Sequence, residues 1–132
     1  MVDMYTSKIE FSIIYIREAH AQDAWPISSS RFTPNRQPVI VNTPLSTSER
    51  AKIAAKFMDE FALHPNIQVL VDSLDHGDSF LKRFTPWPIQ VFLLNSGANN
   101  ASYSLHSIFH AKNSTLPLDE ILSTASTVYS SQ

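Results

Sequence analysis

Polar and apolar positions alternate or cluster along this chain in ways that lay out a short list of elements. Ile9–Ile16 (Ile-Glu-Phe-Ser-Ile-Ile-Tyr-Ile) is aromatic and β-branched, the pattern of a strand in a parallel sheet covered on both faces. Prolines and a Ser28-Ser29-Ser30 run between Pro26 and Pro44 predict an irregular connection. Ser46-Thr47-Ser48-Glu49 is a capping box, and Ala51, Ala54, Ala55, Met58, Phe61 and Ala62 follow at helical spacing. A helix is therefore predicted over Thr47–Leu63, with that stripe as its core face and Pro65 as its stop. Ile67–Val71 reads as a second strand ending in Asp72, and Ser79–Phe84 as a short helix. Thr85-Pro86-Trp87-Pro88 breaks the chain before a third strand, Ile89–Leu94. Asn95–Asn100, around Gly97, has turn chemistry. Tyr103–His110 alternates as a fourth, antiparallel strand, with Tyr103, Leu105, Ser107 and Phe109 on one face. Leu118–Val128 closes the chain as a helix, leaving Tyr129–Gln132 as a frayed end.

This order is a parallel pair joined by a helix, then a proline turn into a hairpin and a closing helix. It predicts an α/β fold, either of thioredoxin-like layout, a three-layer sandwich around a mixed sheet of about four strands, or a generic α/β sandwich, which fits the same order. The first strand-to-helix unit of the thioredoxin-like layout, which carries the nucleophile, has no counterpart before Ile9. The expected organisation is one domain over residues 1–132, N-terminally incomplete. An exposed apolar sheet edge, or a homodimer formed through it, follows from the missing element.

Composition narrows the chemistry. The 132 residues carry 43% apolar and 17% charged side chains and a formal charge of -2, which suits a packed domain and gives no basic face for nucleic acid. Two glycines, Gly77 and Gly97, exclude Gly-rich phosphate loops. The absence of cysteine removes disulfides, thiolate metal sites and Cys nucleophiles. The apolar stretch Phe11–Ile16 is far shorter than the ~20 residues that span a bilayer. Asp3 and Glu10 stand where a secretory signal would be basic and apolar, and the compartment stays open.

Two constellations remain. His106 and His110 would lie about 13 Å apart along a strand, too far for one metal ion bound at ~2 Å per ligand. Asp72, Asp75, His76 and Asp78 lack the regular spacing of a calcium loop and read as a solvated turn. No metal or other cofactor is expected. Glu18 and His20 follow the first strand, where parallel sheets open onto a ligand crevice. If extension continues, their side chains share one side, and a carboxylate beside an imidazole forms a proton relay. The same pair also fits ordinary polar residues at a strand exit.

Tyr15, Ile16, Glu18, Ala19, His20, Asp23 and Trp25 form a Tyr-Ile-x-Glu-Ala-His-x-x-Asp-x-Trp pattern. It resembles the segment that follows the selenocysteine helix of the iodothyronine deiodinases, with Ala24 where that family has glycine. The likeness extends over Phe11 to Leu94. Glu49-Arg50 resembles the family's next helix, Val69-Leu70-Val71-Asp72-Ser73 its next strand end, and Pro86 to Phe92 its proline turn into a strand. The resemblance implies a thioredoxin-like oxidoreductase that removes iodine from an iodinated aromatic and is reset by a thiol reductant. It implies that Glu18 and His20 supply protons beside the selenium, that Asp23 and Trp25 shape the following loop, and that Pro86 or Pro88 is the fold's cis proline.

Two family positions are not matched: Trp87 or Pro88 stands where the family has glutamate after the turn proline, and Asn42-Thr43-Pro44-Leu45 holds no histidine. Met1-Val2-Asp3-Met4-Tyr5 resembles the end of the nucleophile's helix, so the recorded sequence is expected to start at the first Met after a selenocysteine codon. Without Cys or selenocysteine the chain alone is expected to be inactive. The alternative is a non-catalytic thioredoxin-like binding module.

Overall fold

A computed structural model describes residues 9–26, 40–86, 89–97, 102–112 and 115–130. The described elements run β1 (Phe11–Tyr15), α1 (Thr47–Glu60), β2 (Ile67–Val71), α2 (Ser79–Phe84), β3 (Gln90–Ser96), β4 (Tyr103–His110) and α3 (Leu118–Ser130). The chain is mixed α/β with the thioredoxin-like order read from the sequence. The four described strands pair two by two: β1 with β2, parallel, and β3 with β4, antiparallel. Two compact units result, divided between Thr85 and Pro86. Pro88, Trp87, the Met1–Tyr5 segment and the serine run at Ser28 lie outside the described residues.

In the first unit, Phe11 pairs with Ile67 and Tyr15 with Val71, and α1 provides the crossover between the two strands. Ser46 caps α1 by accepting the Glu49 N–H at 3.1 Å. The reciprocal arm of the box shifts by one residue, since Glu49 Oε2 accepts from the Leu45 N–H at 2.8 Å rather than from Ser46. The helix ends at Glu60, before the predicted Leu63. Ala62 enters the left-handed region at φ 45, and the Leu63 N–H reaches back to Met58 O at 3.0 Å, a Schellman closure without glycine.

The buried face of α1 also differs from the predicted stripe. Arg50 and Ala54 are its buried residues, with Ile53 and Phe57 half-buried beside them. Met58 and Phe61, expected in the core, are 36% and 43% exposed. Two contacts set this rotation: Phe57 packs its ring 5.9 Å from that of Tyr15, and Arg50 turns inward to bind Asp72 and Asp78.

In the second unit, Val91 pairs with Phe109 and Gln90 with His110. The register slips between Leu93, opposite Ser107, and Leu94, opposite Leu105, so His106 is the extra residue of a β-bulge. The bulge breaks the predicted alternation. Phe109 is buried while Tyr103 and Leu105, assigned to the same face, are more than half exposed. It also lets sequence neighbours meet, with His106 Nδ1 2.7 Å from Ser107 Oγ. Helix α3 runs past Val128 to Ser130, so the first residues of the predicted frayed end are helical. Asp119 and Glu120 lie in its first turn, where the helix dipole favours them.

Candidate functional site

The site lies in the first unit, at the carboxyl ends of the parallel strands. The ladder continues one bond past the sheet, because the Asp72 N–H donates to Tyr15 O at 3.0 Å. Regular extension then stops, and Ala19-His20 is already a turn. The two-residue strand period therefore does not bring Glu18 and His20 together. The segment instead folds back after them and sets Trp25 against His20.

Ala21 is its pivot. This residue is 2% exposed, and its carbonyl accepts from the N–H groups of Ala24 at 3.1 Å and Trp25 at 3.0 Å. The turn carries Trp25 back over His20, with ring centroids 5.2 Å apart. His20 Nδ1 lies 3.2 Å from Trp25 O. A carbonyl only accepts, so Nδ1 holds the proton and Nε2 is left for exchange chemistry. Ala24 is not among the residues with positive φ, so the turn does not require glycine at this position.

Glu18 is half-buried. Burial pushes its carboxyl up from the ordinary value, and the charge of nearby His20 partly opposes that rise. The two residues are coupled through space, with no direct hydrogen bond or ion pair between them among the described residues. A carboxyl shifted upward is a better proton donor near neutral pH than an ordinary glutamate.

Asp23 fastens the segment. Its Oδ1 accepts from Thr43 N at 2.8 Å and Thr43 Oγ1 at 2.9 Å, while the Gln22 N–H donates to Val41 O at 2.9 Å. The Thr43 backbone N–H is the main reason the Asp23 carboxyl is held below its usual range. Trp25 is 65% exposed, and Pro86 directly follows the left-handed Thr85 that ends α2.

The segment after β2 is only in part the solvated turn expected from its composition: Asp75 and His76 are exposed, whereas its two ends are tied into the fold. Asp72 is 5% exposed, and its carboxylate caps α2 by accepting from Phe80 N at 3.1 Å and Leu81 N at 2.9 Å. Asp78, at φ 54, pairs with Arg50 at 2.5 Å. Among the described residues no three His, Asp or Glu side chains gather as metal ligands. Arg50 and Thr43 were not singled out as site residues by sequence reasoning. Arg50 stands in the quoted Glu49-Arg50 pair, whereas nothing in the sequence links Thr43 to Asp23.

Comparison with known proteins bears on this arrangement. A family model described as iodothyronine deiodinase matches residues 1–99. The type II iodothyronine deiodinases of Aquarana catesbeiana and Rattus norvegicus are each 29% identical to the chain over 79 residues, 58% of its length. The aligned part is 26% and 27% of those two proteins, so the chain spans about a quarter of the length of the curated relatives it matches. The type II enzyme of Mus musculus aligns equally, at 29%. No solved structure matches. The Tyr15–Trp25 segment, with its acid, imidazole and fastened turn, and the Arg50–Asp72 tie both fall inside the matched range, and the chain belongs to the iodothyronine deiodinase family.

Proposed function

We propose that this chain forms the proton-handling part of a deiodinase-like oxidoreductase acting on an iodothyronine or a related iodinated aromatic. The observation that carries the reading is Glu18: a half-buried carboxyl with a raised proton affinity, coupled to a His20 whose Nδ1 is held by Trp25 O. In the reaction a selenolate or thiolate takes iodine from the ring carbon, forming a Se–I or S–I bond. The carbon keeps the C–I electron pair and accepts a proton, which Glu18 and His20 relay. Two thiols then reduce the chalcogen–iodine bond, releasing iodide and a disulfide. The chain has no cysteine, so the soft nucleophile comes from outside these 132 residues, as does the reductant.

The test joins a selenol- or thiol-bearing strand and helix ahead of Met1 and measures iodide release with dithiothreitol. Turnover in the joined protein, reduced roughly a hundred- to ten-thousand-fold by Glu18→Gln or His20→Asn, supports the relay. Turnover unchanged by both substitutions rejects it.

A second reading is a non-catalytic binding module. The lack of cysteine, together with no histidine in Asn42–Leu45, favours it. Tight binding of thyroxine with no iodide release in the joined protein would select this reading. Association with a second copy through an edge of one of the two sheets belongs to either reading and is measured by light scattering.

A further inference from the structure

Arg50 occupies a costly place. It is 3% exposed on the inner face of α1, beside Ile53, Ala54 and Phe57, where an apolar side chain would suit the helix. Its Nε is buried with no hydrogen-bond partner among the described residues. Among the described residues its bonds come from Nη1, which donates to Asp72 O at 2.6 Å and to Asp78 Oδ1 at 2.5 Å. Those acceptors are the first and last residues of the turn that leaves β2. One helical turn earlier, Thr47 holds the middle of it, with Oγ1 3.2 Å from Ser73 Oγ and accepting the Asp75 N–H at 3.3 Å. The start of the turn is also fixed to β1 through Asp72 N and Tyr15 O, three residues before Glu18.

We infer that Arg50 is a positioning residue: it pins both ends of the Asp72–Asp78 turn, which leaves β2 at the same end of the parallel pair where the Glu18–His20 segment leaves β1, and so fixes that turn for a ligand bound at this end of the sheet. Buried ionic groups return little net stability compared with apolar replacements, and fixing one geometry is what such a group does well. The parallel pair places both exits on the side where α/β sheets take ligands. The turn carries exposed Asp75 and His76, whose placement depends on the pinned ends. The inference deepens the reading above, since the ligand is the same iodinated aromatic.

The experiment measures thyroxine binding by calorimetry to the wild-type chain and to Arg50→Met, Arg50→Lys and Thr47→Val, at a temperature where circular dichroism shows each fully folded. Amide hydrogen exchange is followed in parallel. Arg50→Met is expected to weaken binding about tenfold, the weight of one lost tie. Protection is lost at Phe80 and Leu81 and kept at Phe57. Arg50→Lys, whose ammonium can still reach both acceptors, restores most of the affinity. Thr47→Val, which leaves the buried charge alone, weakens binding in the same direction and covers the case in which Arg50→Met fails to fold. Wild-type affinity in Arg50→Met or, where it does not fold, in Thr47→Val overturns the positioning role and leaves the proposed function standing. No thyroxine binding by the wild-type chain, either alone or joined to the nucleophile-bearing strand and helix, overturns both.

Discussion

Asp23 and Thr43 meet on a single carboxylate oxygen, which accepts the Thr43 N–H at 2.8 Å and its hydroxyl at 2.9 Å across twenty residues of sequence. The pair fastens the segment bearing His20 and Trp25 to the strand of chain that enters α1. Asp23→Ala removes both bonds and Thr43→Val only the hydroxyl, so the valine variant should fall between wild type and the alanine variant in melting temperature. The sign with pH follows from the lowered Asp23 carboxyl. Its contribution is present above the ordinary carboxylate value and is lost as pH falls through the depressed folded value. Melting curves of wild type and Asp23→Ala should therefore converge in strong acid and separate towards neutrality. A separation that does not shrink in acid would remove the carboxylate from the explanation.

Glu18 should respond in the opposite sense. Its carboxyl is raised above about 4.5, chiefly by burial, so the folded protein binds a proton before the unfolded chain does. The ionised form costs stability above the raised value, and that cost fades as pH falls towards the ordinary one. Glu18→Gln, which cannot ionise, should be at least as stable as wild type at pH 8, with the gap closing as pH falls towards 4.5. Thermal denaturation across that range reads it directly. A glutamine variant that loses stability at pH 8 and regains it in acid would contradict the burial argument.

The elements were legible because each rests on local chemistry. The bounds of β2, α2 and β4 follow from short β-branched or alternating runs closed by polar or proline breaks, and Ser46 starts α1 where its hydroxyl can cap. What could not be read were consequences of pairing between distant residues. The face of α1 turns towards Arg50 and Phe57 because Asp72, Asp78 and Tyr15 receive them, and no helical periodicity contains that information. The bulge at His106 is equally silent in the sequence, since it arises from how Leu93 and Leu94 register against β4. At the candidate site, the pattern picks out Glu18, His20, Asp23 and Trp25 as residues, but not their arrangement: that Trp25 folds back onto His20 and that Asp23 binds Thr43 depends on the Ala21 pivot and on a partner twenty residues away.

Arg50 and Asp78 should be energetically coupled. Their side chains are 3% and 25% exposed, so the cation is far more deeply buried than its anion. Arg50→Met fills the space with an apolar chain but frees Asp72 O and Asp78, and is expected to cost about 2–3 kcal/mol. Asp78→Asn keeps an acceptor and tolerates the left-handed backbone, so it isolates the charge. A double-mutant cycle from urea denaturation should return a coupling of about 1–3 kcal/mol. Additive losses would mean that the pair is adjacent without being coupled.

Gly97 and Ser102 close the β3–β4 hairpin through Gly97 N and Ser102 O at 2.8 Å. A Cβ at position 97 would overlap Ser102 Oγ and crowd the Ser102 carbonyl at 3.3 Å. Gly97→Ala should therefore destabilise the hairpin by about 1–2 kcal/mol, as overpacking does elsewhere. The hydroxyl is the worse of the two clashes, and the next atom, Ser102 Cβ, lies at an ordinary 3.7 Å. Adding Ser102→Ala to Gly97→Ala should then recover most of the loss, leaving only the carbonyl to move by a few tenths of an ångström. Hydrogen exchange at Leu94 and Leu105, on either strand next to the bulge, reports the hairpin separately from the site in the first unit. If the double variant is no more stable than Gly97→Ala, the obstacle is the backbone of the turn and not the serine side chain.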